Sequence, residues 1–169
     1  MRVTYHREML VKKLLDDEGI ENFIPMYYQP VKGKQKKGKI VPVIYGLIFV
    51  HATFSDIQYL KKERGIEYLQ YIIDSRSREK IIVPEDQMRR FIAVVGTYHE
   101  SLLYFQPNEL NLKKGTRVRV CGGEFEGQEG IFVKVKGARD RRVVISIQGV
   151  IAVAIAAIHP DLIEVLDEV

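Results

Sequence analysis

Hydrophobic positions along the chain follow helical spacing in three places and strand spacing in most of the remainder. Met9, Leu10, Leu14 and Leu15 recur at helical intervals and Gly19 stops the run, which predicts a helix over about His6 to Glu18 behind a short strand at Val3–Tyr5. IENFIPMYYQPV follows, rich in β-branched and aromatic residues and interrupted by Pro25 and Pro30, so it reads as an edge or bent strand. Beyond a lysine tract, the apolar run Ile44–Val50 reads as a buried strand. Together these segments predict a long hairpin with KGKQKKGK at its tip. Ser55 with Gln58 forms a capping-box pattern that starts a second helix, closed by Gly65. EYLQYIID is a further strand. Pro84 opens a third helix through Met88, Phe91, Ile92 and Val95, which Gly96 ends.

From Thr97 to Asn111 the periodicity lapses, and the segment reads as a linker. Past it the signals are short strands and turns: Thr116–Cys121, Gly130–Lys136, Arg142–Ile147, Val150–Ala156 and Leu162–Leu166. The expected organisation is an α+β domain over residues 1–96, a linker over 97–111, and a small all-β barrel of five strands over 112–169. One segment resists the alternation: Val150–Ile158 is apolar at all nine positions. Exposed, such a strand would invite aggregation, so its outer face is expected to be covered by a partner or by the other domain.

Charge is modest overall but uneven. Among the 169 residues the formal net charge is +4; residues 1–111 carry 17 Lys/Arg against 14 Asp/Glu, and residues 112–169 carry 9 against 8. Lys32, Lys34, Lys36, Lys37 and Lys39 crowd one short stretch, so the basic character is local, as at a contact point. No apolar run approaches the roughly eighteen residues of a membrane span, and no secretory signal pattern opens the chain; the expectation is a cytoplasmic protein. Cys121 is the only cysteine, and the four histidines show no paired ligand spacing, so neither a metal site nor a cofactor is expected. No nucleophile or acid–base constellation points to an enzyme.

The glycines between Cys121 and Ile131 carry more information. Gly115 precedes one strand; Gly123, Gly127 and Gly130 fall where a reversal needs positive φ or close backbone approach. KGTRVRVCGGEFEGQEGIFVKV, Lys114–Val135, is similar to a KOW motif, and an SH3-like barrel is the fold it implies. The α+β region before it, with its basic hairpin, resembles the N-terminal (NGN) domain of NusG-like transcription factors. Phe23-Ile24-Pro25 resembles that family's proline-ended strand, and Tyr45-Gly46-Leu47-Ile48-Phe49-Val50 its Pro-Gly-Tyr-Val strand. VTYHRE, KKLLDDEGIE, LIFVHAT, FIAVVGT and ELNLKKG resemble the UpxY group of Bacteroidetes antiterminators, which act on capsular polysaccharide operons. The family's initial Trp-Tyr is absent, so either the chain begins late or the first strand is shortened.

That resemblance implies binding, not catalysis. It implies docking on the clamp helices of RNA polymerase through Tyr45, Gly46 and Leu47, with Tyr71 and Ile72 alongside. It implies contact with non-template DNA or nascent RNA through His6, Arg7, the lysine tract, Arg76 and Arg78. Where family members carry an aromatic in a Ser-Ile-Phe-Gly turn, this chain has Ser146-Ile147-Gln148-Gly149, followed by Val150. Gln148, Gly149 and Val150 are therefore the expected partner surface of the barrel, altered so that a ribosomal protein remains a candidate and Rho is disfavoured. The alternatives are a housekeeping NusG and a ribosome-associated KOW-type RNA-binding protein.

Overall fold

The first helix, α1 (Glu8–Asp17), buries Val11 and Leu15, while Met9 and Leu10 face solvent. The apolar stripe is thus rotated from the expected one: Val11 and Leu15, four apart, stack on one face, and Leu14 packs at its border. A computed structural model of the chain describes residues 1–29, 38–106, 109–135, 141–147, 149–155 and 158–167. It divides into two compact units, Met1–Ile82 and Val83–Val169.

In the first unit, α1 is preceded by β1 (Arg2–Val3) and a 3-10 turn at Thr4–His6. Then come β2 (Asn22–Phe23), β3 (Met26–Gln29), β4 (Lys39–Pro42), β5 (Phe49–Val50), α2 (Phe54–Glu63) and β6 (Leu69–Gln70). The strands pair antiparallel as β1 with β6, β2 with β5, and β3 with β4. Pairing of β3 with β4 makes a hairpin, but its return strand is Lys39–Pro42 and not the expected Ile44–Val50; Lys32, Lys34, Lys36 and Lys37 lie outside the described residues. Val3, Val11, Leu15, Ile24, Ile48, Ile57, Leu60, Ile66 and Leu69 form the core beneath both helices.

Two local expectations need correction. The Ile44–Val50 run is not one strand: the backbone turns at Tyr45–Gly46, with Gly46 at φ 75°, and only Phe49–Val50 pairs as β5. The cap of α2 is Thr53, not Ser55. Thr53 Oγ1 accepts the Asp56 N–H at 3.2 Å, and Asp56 Oδ2 accepts the Thr53 N–H at 2.9 Å, closing a capping box two residues earlier than the Ser55–Gln58 pattern suggests.

The second unit holds α3 (Glu85–Val95), β7 (Leu103–Phe105), β8 (Thr116–Val120), β9 (Glu129–Lys134), β10 (Arg141–Ile147), β11 (Ile151–Ala154) and β12 (Ile163–Asp167). Each of the five expected strands has a counterpart in β8 to β12. The sheet has six strands, however, in the order β12-β8-β9-β10-β11-β7, with every neighbouring pair antiparallel. The sixth is β7, inside the segment read as linker.

Pairing of Tyr104 with Val153 explains β7: it protects the edge of β11, the most apolar strand. Val150 to Ile155 are all buried, and Leu103, Phe105, Leu110, Leu112 and Val133 pack on the cluster of Val135, Val144, Ala152 and Ala154. The cover expected from a partner or the other domain comes largely from Leu103, Phe105, Leu110 and Leu112 of the same unit. The boundary also differs from the expected one at Gly96. Phe91, Val94 and Val95 are fully buried, α3 packs on β10, and Arg90 Nη1 lies 3.1 Å from Glu129 Oε2 on β9. Burial of each such side chain contributes about 1.5–3 kcal/mol, enough to fix α3 to this sheet.

Candidate functional site

Tyr5 and His6 both occupy the left-handed region, at φ 62° and 52°. Side chains other than glycine enter it at a cost of about 1–3 kcal/mol each, and such strain gathers where a surface has a use. The turn aims both side chains outward just before α1, and Tyr5 is 81% exposed. The His6 ring meets Tyr45 edge-on, centroids 5.1 Å apart and planes at 89°. The Arg7 guanidinium lies 5.5 Å from the Tyr5 ring centre and 5.2 Å from that of Tyr68. Strand end, helix start and the Tyr45 turn thus bring three aromatic rings, an imidazole and a cation together on the surface of the first unit.

The turn carrying Tyr45 is built on Gly46. The Val3 N–H donates to the Gly46 carbonyl at 2.7 Å, and a Cβ on Gly46 would stand 2.5 Å from the Val3 carbonyl oxygen. Only glycine fits both the positive φ and this approach. Tyr45 is left 60% exposed, whereas Leu47 is 4% exposed and bridged to Arg2. Of the three residues expected to face a partner here, Tyr45 is presented, Gly46 shapes the turn, and Leu47 belongs to the core.

Tyr71 lies in a second cluster. Its ring stacks on Phe54 at 6.2 Å and 15°, and the Lys80 ammonium sits 4.2 Å from the Phe54 ring centre and 4.4 Å from that of Tyr71. Ile72 is half-buried, and its carbonyl accepts the Ile81 N–H at 2.9 Å. Arg76 and Arg78 project from the turn between Ile73 and Lys80, which are bridged. The Asp74 carboxylate accepts the backbone N–H groups of Ser77 and Arg76 at 2.9 and 2.7 Å, and these bonds hold its pKa below the ordinary value. Lys39 is exposed at the loop end of its hairpin, where it pairs with Gln29.

In the second unit, Gly123 and Gly127 have φ of 82° and 81°, so the β8–β9 reversal requires them. Gly130 and Gly115 are needed for space: a Cβ on Gly130 would lie 2.6 Å from the Val144 carbonyl, and one on Gly115 would strike Ile131. Gln148 lies outside the described residues; Gly149 is exposed at φ 74° and Val150 is buried. A shallow cleft lined by Asp86, Gln87, Arg90, Arg117, Glu129 and Ser146 is largely neutralised by its own ion pairs.

Sequence reasoning missed Tyr5, Tyr68, Phe54, Lys61 and Lys80. Each is aromatic or basic in an otherwise ordinary stretch, and only folding brings them beside the expected residues. Among the described residues no cluster of His, Cys, Asp or Glu could hold a metal ion, and no helix is long and apolar enough to cross a membrane. No curated protein matches the chain. A family model described as "Transcription termination factor nusG" matches residues 1–92, reaching from β1 into α3. The match spans more than half of the chain, which therefore belongs to the NusG family of transcription factors.

Proposed function

We propose that the chain is an elongation and antitermination factor that binds RNA polymerase through its first unit and serves particular operons, capsular polysaccharide operons being the class its UpxY-like segments suggest. The observations that support this reading are the family match over residues 1–92 and the exposure of Tyr45, in the segment that resembles the family's docking strand. Tyr45 supplies the apolar contact with the clamp helices. His6, Arg7 and the lysine tract contact the non-template strand or nascent RNA, the rings offering faces to unstacked bases and the cations meeting phosphates. The second unit is proposed as a KOW domain in which Gln148 replaces the aromatic used by relatives, so that Rho is not engaged and a ribosomal protein remains a candidate partner. A bound factor favours elongation only as far as it prefers the elongating complex: about 1.4 kcal/mol of preference shifts the ratio roughly tenfold.

The test is retention of cognate RNA polymerase by the full chain, comparing wild type with Tyr45→Ala. Because Leu47 is core, truncating it would cost about 2–5 kcal/mol of stability and confound any effect on docking. Wild type should retain polymerase and Tyr45→Ala should retain several-fold less. Absence of retention by folded wild type overturns the reading; equal retention overturns only the surface.

A further inference from the structure

We propose a separate binding site for a nucleotide of single-stranded nucleic acid, formed by Phe54, Tyr71 and Lys80 with Lys61 at its border. Phe54 opens α2 and is 58% exposed, an unusual place to leave a large apolar ring. It is not an isolated surface residue. Tyr71 lies nearly parallel to it at 6.2 Å, Lys80 caps both rings, and the Lys61 ammonium is 5.9 Å from the Tyr71 ring centre.

Such a cluster supplies what a nucleotide requires: in Phe54 an exposed ring for the base, and in Lys80 and Lys61 cations within reach of the phosphate. A partner bringing its own cation would meet two lysines already in place, and a neutral apolar partner would strip water from both. An anionic ligand with a flat face gains from rings and lysines together. Charge complementarity thus selects single-stranded nucleic acid; on the adjoining turn Arg76 and Arg78 alternate with Asp74 and Glu79, so the net positive charge of the site rests on Lys80 and Lys61. Tyr71, expected from the family resemblance to face polymerase, is assigned here to nucleic acid instead. The site involves none of Tyr5, His6, Arg7 or Tyr45 and does not depend on polymerase docking.

Fluorescence anisotropy of labelled oligothymidine and oligouridine, about 12 nucleotides long to suit a short site, tests the assignment with the full chain at low salt. Wild type should bind. Phe54→Ala and Phe54→Leu should both weaken binding about tenfold, Phe54→Trp should preserve it, and Lys80→Ala should lower the salt dependence by roughly 0.7 logarithmic units. Circular dichroism confirms that each variant is folded, as the exposure of Phe54 leads one to expect. The proposal is overturned if folded wild type does not bind, if Phe54→Ala binds as wild type does, or if Phe54→Leu keeps full affinity, since stacking would then not be involved. Loss of polymerase retention by Phe54→Ala with unchanged oligonucleotide binding would overturn it in favour of a protein partner. Failure of the Tyr45 experiment would leave these outcomes unaffected.

Discussion

Arg119 grips Glu129 through two guanidinium nitrogens, Nη2 at 2.8 Å and Nε at 3.3 Å from Oε1. Arg117 and Arg90 reach the other oxygen at 3.2 and 3.1 Å, so one carboxylate gathers cations from β8 and α3. The bond from Arg119 is the main reason the Glu129 pKa lies below its ordinary value; partial burial opposes the shift, and Arg117 and Arg90 reinforce it. A depressed folded pKa stabilises above the unfolded value, near 4.5, and that stability is lost as pH falls through the folded one. Glu129→Gln should therefore cost about 1 kcal/mol at pH 7, the guanidiniums being half in water, and progressively less in acid. Urea midpoints of both proteins at neutral and acid pH check this; a gap independent of pH contradicts it.

Tyr104 responds at the other end of the scale. Burial, and secondarily the charge of Tyr98, push its pKa up to about 12. A folded pKa raised above the unfolded value, near 10, contributes stability below pH 10 that is lost as pH climbs towards 12. Ultraviolet titration of the phenolate band should show a late step from Tyr104, and that step should be missing in Tyr104→Phe. The alkaline decline in stability should be shallower in the variant.

The capping box separates two nearby hydroxyls. Thr53 exchanges hydrogen bonds with Asp56, whereas Ser55 lies one residue inside α2. Thr53→Ala should cost about 1 kcal/mol, the usual worth of a helix cap. Ser55→Ala should stay within about 0.5 kcal/mol of wild type. Thermal unfolding of the two variants decides which hydroxyl starts the helix.

Legibility in the sequence followed the range of the interactions involved. The five strands from Thr116 onward, the positive-φ turn glycines Gly123 and Gly127, and the stop at Gly19 were readable because period and backbone conformation are local. What folding over distance decides was not. β7 shows no strand period because its three residues form a ladder only against β11, and α3 looks the same in sequence whichever sheet buries Phe91. Tyr45 and Leu47 are both apolar residues of one run; only the turn at Gly46 sends one outward and the other into the core. Phe54 and Lys80, 26 positions apart, leave no sequence trace of their contact.

Gly46 and Gly19 allow that turn to be tested. Their φ values are similar, 75° and 68°, so alanine at either position pays a comparable backbone penalty, about 1 kcal/mol or somewhat more. Their surroundings differ. Nothing lies within 4 Å of a Cβ on Gly19, while one on Gly46 would meet the Val3 carbonyl at 2.5 Å, and relieving that clash means loosening the 2.7 Å bond from Val3 to Gly46. Gly46→Ala should therefore destabilise the first unit by about 1–3 kcal/mol more than Gly19→Ala, roughly 4–8 °C in Tm for each kcal/mol. Because the turn carries Tyr45, Gly46→Ala should also lower polymerase retention at a temperature well below both melting points, where both variants are fully folded, while Gly19→Ala retains polymerase as wild type does. Equal melting temperatures would show that β1 yields to the added methyl group, and the Tyr45 turn would then not depend on glycine.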